Sequence, residues 1–187
     1  MQASAELAER IRVLPGRASC ATAAWAPALK ARSLARLGRA DDARQAMMLA
    51  ERAFARLDAE HKADLAYGYT ERQLRWHVGS MYTTLGDTRR AQLALDEALD
   101  LYSPAEHLDR ALIALDQAEG LLRVGEIGSA AQVGLHAVGS LPAEHRTGIV
   151  LARAASVVNA VPARAARTPM VADLRELISS EAPALTR

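Results

Sequence analysis

Residues 76–102 read WHVGSMYTTLGDTRRAQLALDEALDLY, and within them Gly79, Tyr82, Gly86, Ala91, Leu95 and Ala98 stand on a fixed ladder. Two glycines lie seven residues apart, and small residues recur at seven-residue intervals beyond the second. Each glycine costs a helix interior roughly 1 kcal/mol relative to alanine, so the pair points to packing contacts that need it.

The ladder recurs. LARLGRADDARQAMMLAERA (34–53) and LLRVGEIGSAAQVGLHAV (121–138) align with YTTLGDTRRAQLALDEAL (82–99) when Gly38, Gly86 and Gly125 are superposed. Leu34, Tyr82 and Leu121 then coincide, as do Ala43, Ala91 and Ala130, and Ala50, Ala98 and Ala137. Each copy reads as a helix, a tight turn at a left-handed glycine, and a second helix brought close to the first by its alanines. Asp87 can cap the second helix of the middle copy. Ser103, Pro104 and Glu106 form a capping-box-like start with proline at the first helical position.

This pattern resembles the tetratricopeptide repeat family, whose unit is a helix A, turn, helix B hairpin. The middle copy places Gly79, Tyr82, Gly86, Ala91, Leu95 and Ala98 at the signature positions, with leucine replacing the usual aromatic at 95. The first copy offers Ala31, Leu34, Gly38, Ala43, Met47 and Ala50; the third offers Ala118, Leu121, Gly125, Ala130, Gly134 and Ala137, with Pro142 at the terminal proline. The signature tryptophan position holds Pro27, Arg75 and Ala114, a departure. The resemblance implies an all-α, right-handed solenoid of helical hairpins: three degenerate repeats at about 24–57, 72–103 and 111–142, within one domain spanning 1–187. Flanking helices are expected at 3–13, 142–159 and 169–180, with 159–168 the clearest loop. The turn glycines are 48 and 39 residues apart, against a family period of about 34; the excess falls in longer helices and in LDAEHKADL (57–65).

Within the family, residues about 24–158 are similar to the repeat regions of actinobacterial regulators that also carry an N-terminal helix-turn-helix. No helix-turn-helix can be read in this chain, so it is either a fragment or a stand-alone repeat protein. Helix A residues of the family face an inner groove that takes extended peptides or other ligands. The matching positions are Trp25, Arg32 and Arg36, then Gln73, Trp76, His77, Ser80, Thr83 and Thr84, then Asp116, Glu119 and Arg123. Both tryptophans fall on this surface, where an aromatic anchor with polar neighbours suits a peptide; packing against flanking helices is the competing role. The carboxylate-clamp positions of one subtype hold Ala28, Arg32, His77, Leu112 and Asp116, a set that would repel a ligand's carboxylate at Asp116.

Composition narrows the function. Aromatics make up 4 % of a chain that is half hydrophobic, so alanine and leucine must build the core, as suits closely packed helices. The net charge of +1 offers no field for a nucleic-acid backbone, and direct nucleic-acid binding is not expected. Only Lys30 and Lys62 are lysines among the 23 basic residues, a bias that can reflect a GC-rich genome, so isolated arginines carry little weight. A lone Cys20 precludes an intrachain disulfide and fits a reducing, cytoplasmic setting; no membrane span or leader is legible.

No catalytic constellation stands out. His61, His77, His107, His136 and His145 lack metal-ligand spacing, and GEIGSAAQVG (125–134) lacks a P-loop lysine, so neither metal nor cofactor is expected. The expected function is a non-enzymatic protein- or peptide-interaction module, the sensing or partner-binding part of a bacterial regulator. The alternative is a small-molecule receptor or enzyme with a pocket around Trp76 and His77 and the acid pair Asp116/Glu119. Self-association is a third possibility, through Leu7, Ile11 and Leu14 at one end and Leu174, Leu177 and Ile178 at the other.

Overall fold

The computed structural model describes residues 20–66 and 68–181; the helix expected at 3–13 lies outside them. Among the described residues there are nine α-helices and no strand. The chain divides into two compact units, Met1–Leu101 and Tyr102–Arg187.

The first unit holds α1 (Ala21–Arg36), α2 (Ala40–Ala55), the single turn α3 (Ala59–Lys62), α4 (Glu71–Leu85) and α5 (Thr88–Leu101). The second holds α6 (His107–Arg123), α7 (Ile127–Gly139), α8 (Gly148–Asn159) and α9 (Pro169–Glu181), with 3-10 turns at Ala143–His145 and Ala163–Ala165.

Gly38, Gly86 and Gly125 close the hairpins α1–α2, α4–α5 and α6–α7, with φ of 73°, 79° and 85°. At each turn the glycine N–H and the next residue's N–H bond back to two carbonyls of the ending helix. Gly86 donates to Thr83 and Asp87 to Tyr82; the pairs Gly38 to Ala35 with Arg39 to Leu34, and Gly125 to Leu122 with Glu126 to Leu121, repeat the pattern. This double bond satisfies carbonyls a helix would otherwise leave orphaned and needs a left-handed residue, which is glycine's role. The aligned Leu34, Tyr82 and Leu121 are the acceptors of the longer bond in all three copies.

In the first unit α1 packs on α2 and α4, and α4 on α5. Ala24, Ala28 and Ala31 meet a cluster that includes Ala43, Ala46, Met47 and Ala50 of α2 and Leu74, Val78 and Met81 of α4. Glycine at 79 has a specific reason: a Cβ there would lie 2.6 Å from both Cγ and Cδ2 of Leu95 on α5. Thr70 and Gln73 start α4 with a reciprocal capping box. As expected, Asp87 caps α5, its Oδ1 accepting the Arg90 N–H at 3.2 Å.

In the second unit α7 packs on α6 and α9, and α8 contacts α6, α7 and α9. Leu174 of α9 is buried, its Cδ2 at 2.9 Å from where a Cβ on Gly134 of α7 would be. The C-terminal apolar stripe is thus used within its own unit. Two expected boundaries are corrected. The helix expected from 142 begins at Gly148, because Pro142 is extended and a 3-10 turn follows. The start expected at Pro104 is displaced to His107: Ser103 Oγ accepts the Ala105 N–H two residues on, an arrangement that closes a turn rather than a helix. The loop expected at 159–168 also contains a 3-10 turn.

Candidate functional site

One stripe of α1 runs through Trp25, Leu29, Arg32 and Arg36, spaced four, three and four residues apart, the spacing that aligns side chains on one helix face. Trp25 is 47 % exposed and Leu29 and Arg36 are exposed; Arg32 is half-buried, its guanidinium carbon 5.8 Å from the centroid of the Trp76 ring on α4. That distance is within cation–π range. The α1 stripe thus carries Trp25, Arg32 and Arg36 on one helix face, and through Arg32 it meets Trp76 of α4.

Beneath it the polar residues of α4 turn inward. His77 is 6 % exposed, its ring stacks beside Trp76 at 6.2 Å, and its Nδ1 lies 2.9 Å from the Tyr69 hydroxyl. Burial first, and the nearby Arg32 charge second, push His77 down to about 3, with a backbone hydrogen bond at Gln73 opposing. The imidazole is neutral across the physiological range, held by Tyr69, whose own ring makes an edge contact with Phe54. Ser80 and Thr83 are buried as well; the Ser80 carbonyl accepts the Thr84 hydroxyl at 3.0 Å, and the Thr83 hydroxyl has no hydrogen-bond partner. Gln73 is engaged in the capping box with Thr70, its Oε1 accepting the Thr70 N–H at 2.8 Å.

Asp116, Glu119 and Arg123 belong to the second unit and form a different feature. Asp116 is 2 % exposed and accepts from both the Nε and a terminal nitrogen of Arg153, which reaches across from α8. Arg153 also donates to Glu119 at 2.7 Å, and Arg123 donates to the other Glu119 oxygen at 2.9 Å. Burial alone would lower the Arg153 pKa, but the two carboxylates outweigh it and the net shift is upward. The expected acid pair is therefore a structural ion-pair network joining α6 and α8.

Sequence reasoning missed three of these residues, Tyr69, Thr70 and Arg153, whereas Gln73 was among those expected. Thr70 and Gln73 have the Thr-x-x-Gln spacing of a capping box, and Tyr69 directly precedes it, so a local signal existed. Arg153 had none, since it lies 37 residues from Asp116. Among the described residues no group of three or more His, Cys, Asp or Glu is placed to hold a metal ion, and no helix is long and apolar enough to cross a membrane. Cys20 is half-buried at the start of α1.

Comparison with protein-family models, with curated proteins and with solved structures gives no match.

Proposed function

We propose that this chain is a non-enzymatic interaction module whose three hairpins are degenerate tetratricopeptide-type repeats, the unit from which right-handed solenoids are built. Its surface for a protein or peptide partner is the α1 face with Trp25, Arg32 and Arg36 together with Trp76, and its role is the sensing or partner-binding part of a bacterial regulatory system.

The observation that carries this reading is the exposure of Trp25 on a face whose neighbours Arg32 and Trp76 are already in contact. A large aromatic exposed on the same helix face as an arginine already held against Trp76 has the composition of an interface anchor: it desolvates much area at little entropic expense. The shared turn geometry of the three hairpins supports the repeat assignment. Binding is favoured over catalysis by the engagement of the polar groups: His77 is sealed against Tyr69, and the acid pair is neutralised by arginines.

The test is cross-linking and capture from host lysate with wild type, Trp25→Ala and Trp76→Ala, each verified as folded by circular dichroism, with proteins and small molecules both identified by mass spectrometry. A protein retained by wild type, lost by the variants and cross-linked to α1 or α4 is the expected result. An identical set from all three, or a captured metabolite that the protein converts, overturns the reading.

A further inference from the structure

The histidines differ in what their rings touch. His61 Nδ1 is held by Asp58 at 2.7 Å, and His77 Nδ1 by the Tyr69 hydroxyl. His107 and His145 meet each other instead, with ring centroids 6.0 Å apart and ring planes 43° from parallel. Neither ring makes a hydrogen bond or ion pair among the described residues. His107 opens α6 and is exposed; His145 closes the 3-10 turn Ala143–His145 between α7 and α8 and is half-buried. Both belong to the second unit. The expectation of no metal rested on ligand spacing along the chain, and these two positions are too far apart in sequence to show any.

The backbone beneath each ring is braced. At the α6 start, Glu106 Oε2 accepts the Ser103 N–H at 2.7 Å and Arg110 donates to the Tyr102 carbonyl at 3.0 Å. At the turn, the His145 N–H bonds the Pro142 carbonyl at 2.9 Å, and Arg146 donates to the carbonyls of Leu141 and Gly139 and to Glu181. Two fixed backbones thus present two imidazoles whose nitrogens have no other partner among the described residues.

We propose that His107 and His145 form a two-histidine site for a divalent late transition-metal ion, zinc or copper, with water completing the coordination shell. A metal–nitrogen bond of about 2.0–2.1 Å puts each ring centroid about 3.1–3.2 Å from the ion, so at a tetrahedral angle the centroids stand about 5 Å apart. The 6.0 Å between them exceeds this by about 1 Å. Rotation about the side-chain bonds closes such a gap without moving the backbone. A neutral imidazole offers one nitrogen lone pair, a donor that suits zinc, copper and nickel and not magnesium or calcium. Two protein ligands are fewer than the three or four of a dedicated zinc site, so the affinity is modest and open positions remain. The bound ion ties the start of α6 to the link between α7 and α8. Because it binds the folded arrangement, it stabilises the second unit. This site is independent of the interaction surface on the first unit.

The experiment is isothermal titration of the whole chain, free of any affinity tag and stripped with chelator, with zinc, copper and magnesium chlorides. One zinc ion per chain should bind, copper more tightly, and magnesium not at all. His107→Gln and His145→Gln, each verified as folded by circular dichroism, should each weaken zinc by about 10-fold or more, at least the loss that removing an outer partner of a ligand brings. His136→Gln, on α7 and outside the pair, should change nothing. Zinc should raise the urea midpoint of wild type and leave that of either ligand variant unmoved. Copper electron paramagnetic resonance should show two imidazole nitrogens in wild type and one in His107→Gln, a surface change at a helix start that decides the matter even if His145→Gln does not fold.

Zinc binding indifferent to His107→Gln overturns the site, as does the same loss from His136→Gln. Magnesium binding as well as zinc would show an adventitious ion only. Zinc-dependent dimerisation in sedimentation, with one ion per two chains, would make the histidines an intermolecular bridge and overturn the link within the unit.

Discussion

Leu95 of α5 occupies the space that a side chain on Gly79 of α4 would fill: a Cβ at 79 would sit 2.6 Å from its Cγ and Cδ2 and 3.2 Å from its backbone nitrogen. The contact involves the branch point and the main chain of Leu95, so a rotamer change alone cannot relieve it.

Gly79→Ala is therefore expected to destabilise the protein although alanine is the better helix former. Overpacking costs about 1–3 kcal/mol, against a propensity gain of about 1 kcal/mol. Leu95→Ala alone should cost about 2–5 kcal/mol, and the double variant less than the two losses added, because the new methyl enters the vacated space. Urea titrations followed by circular dichroism measure all three; additive losses would disprove the contact.

Gly120 and Gly125 make an opposite pair. Gly120 lies inside α6 with nothing within 4 Å of an added Cβ, whereas Gly125 has φ of 85°. Gly120→Ala should stabilise by about 0.5–1 kcal/mol through helix propensity and a restricted unfolded chain. Gly125→Ala should destabilise by about 1–2 kcal/mol, since a Cβ in the left-handed region meets the following carbonyl. Midpoints from the same urea titrations, at unchanged slope, would establish both signs.

These glycines also show which part of the fold was legible in the sequence. A positive-φ turn or a close helix approach admits glycine and little else, so Gly38, Gly86, Gly125 and Gly79 mark hairpins and a contact in the sequence itself. Ala43, Ala91 and Ala130 did the same for the second helices, and all three are buried. The site was less legible. Helical spacing places Trp25, Arg32, Arg36, Trp76 and His77 on helix A faces, but whether a polar residue there faces water depends on partners elsewhere in the chain. His77 is interior because Tyr69 meets its imidazole, and Asp116 because Arg153 meets its carboxylate. Neither pairing leaves a periodic trace.

His77 should make stability depend on pH. Its folded pKa, about 3, lies below the ~6.5 of an unfolded histidine, so the unfolded chain binds the proton more readily. Its contribution is complete above ~6.5 and falls as pH drops toward 3, at up to ~1.4 kcal/mol per pH unit. Unfolding free energies at pH 7, 6, 5 and 4 should therefore decline more steeply in wild type than in His77→Phe, which keeps a ring and removes the proton site. Parallel slopes would mean that His77 is accessible to protons in the folded state. Tyr69→Phe should lower stability at pH 7 by about 1–3 kcal/mol by leaving Nδ1 buried without its phenol.

Asp116 and Arg153 join α6 to α8, and the pair should respond asymmetrically to mutation. Arg153→Ala removes the two guanidinium donors from a carboxylate that is 2 % exposed, a loss expected to cost about 3–5 kcal/mol. Arg153→Lys should recover only part of this loss, because a single ammonium cannot reproduce the donation from two guanidinium nitrogens to Asp116 and from one to Glu119. Removing both charges is the decisive comparison. Asp116→Leu with Arg153→Met substitutes apolar volume for the ion pair, and desolvation of two charges no longer opposes folding. The double variant should then lie within about 1 kcal/mol of wild type and well above Arg153→Ala. Thermal and urea unfolding of wild type, Asp116→Leu, Arg153→Met and the double variant gives the coupling energy directly, and a double variant as unstable as Arg153→Ala would show that the pair contributes through its own geometry rather than by mutual neutralisation.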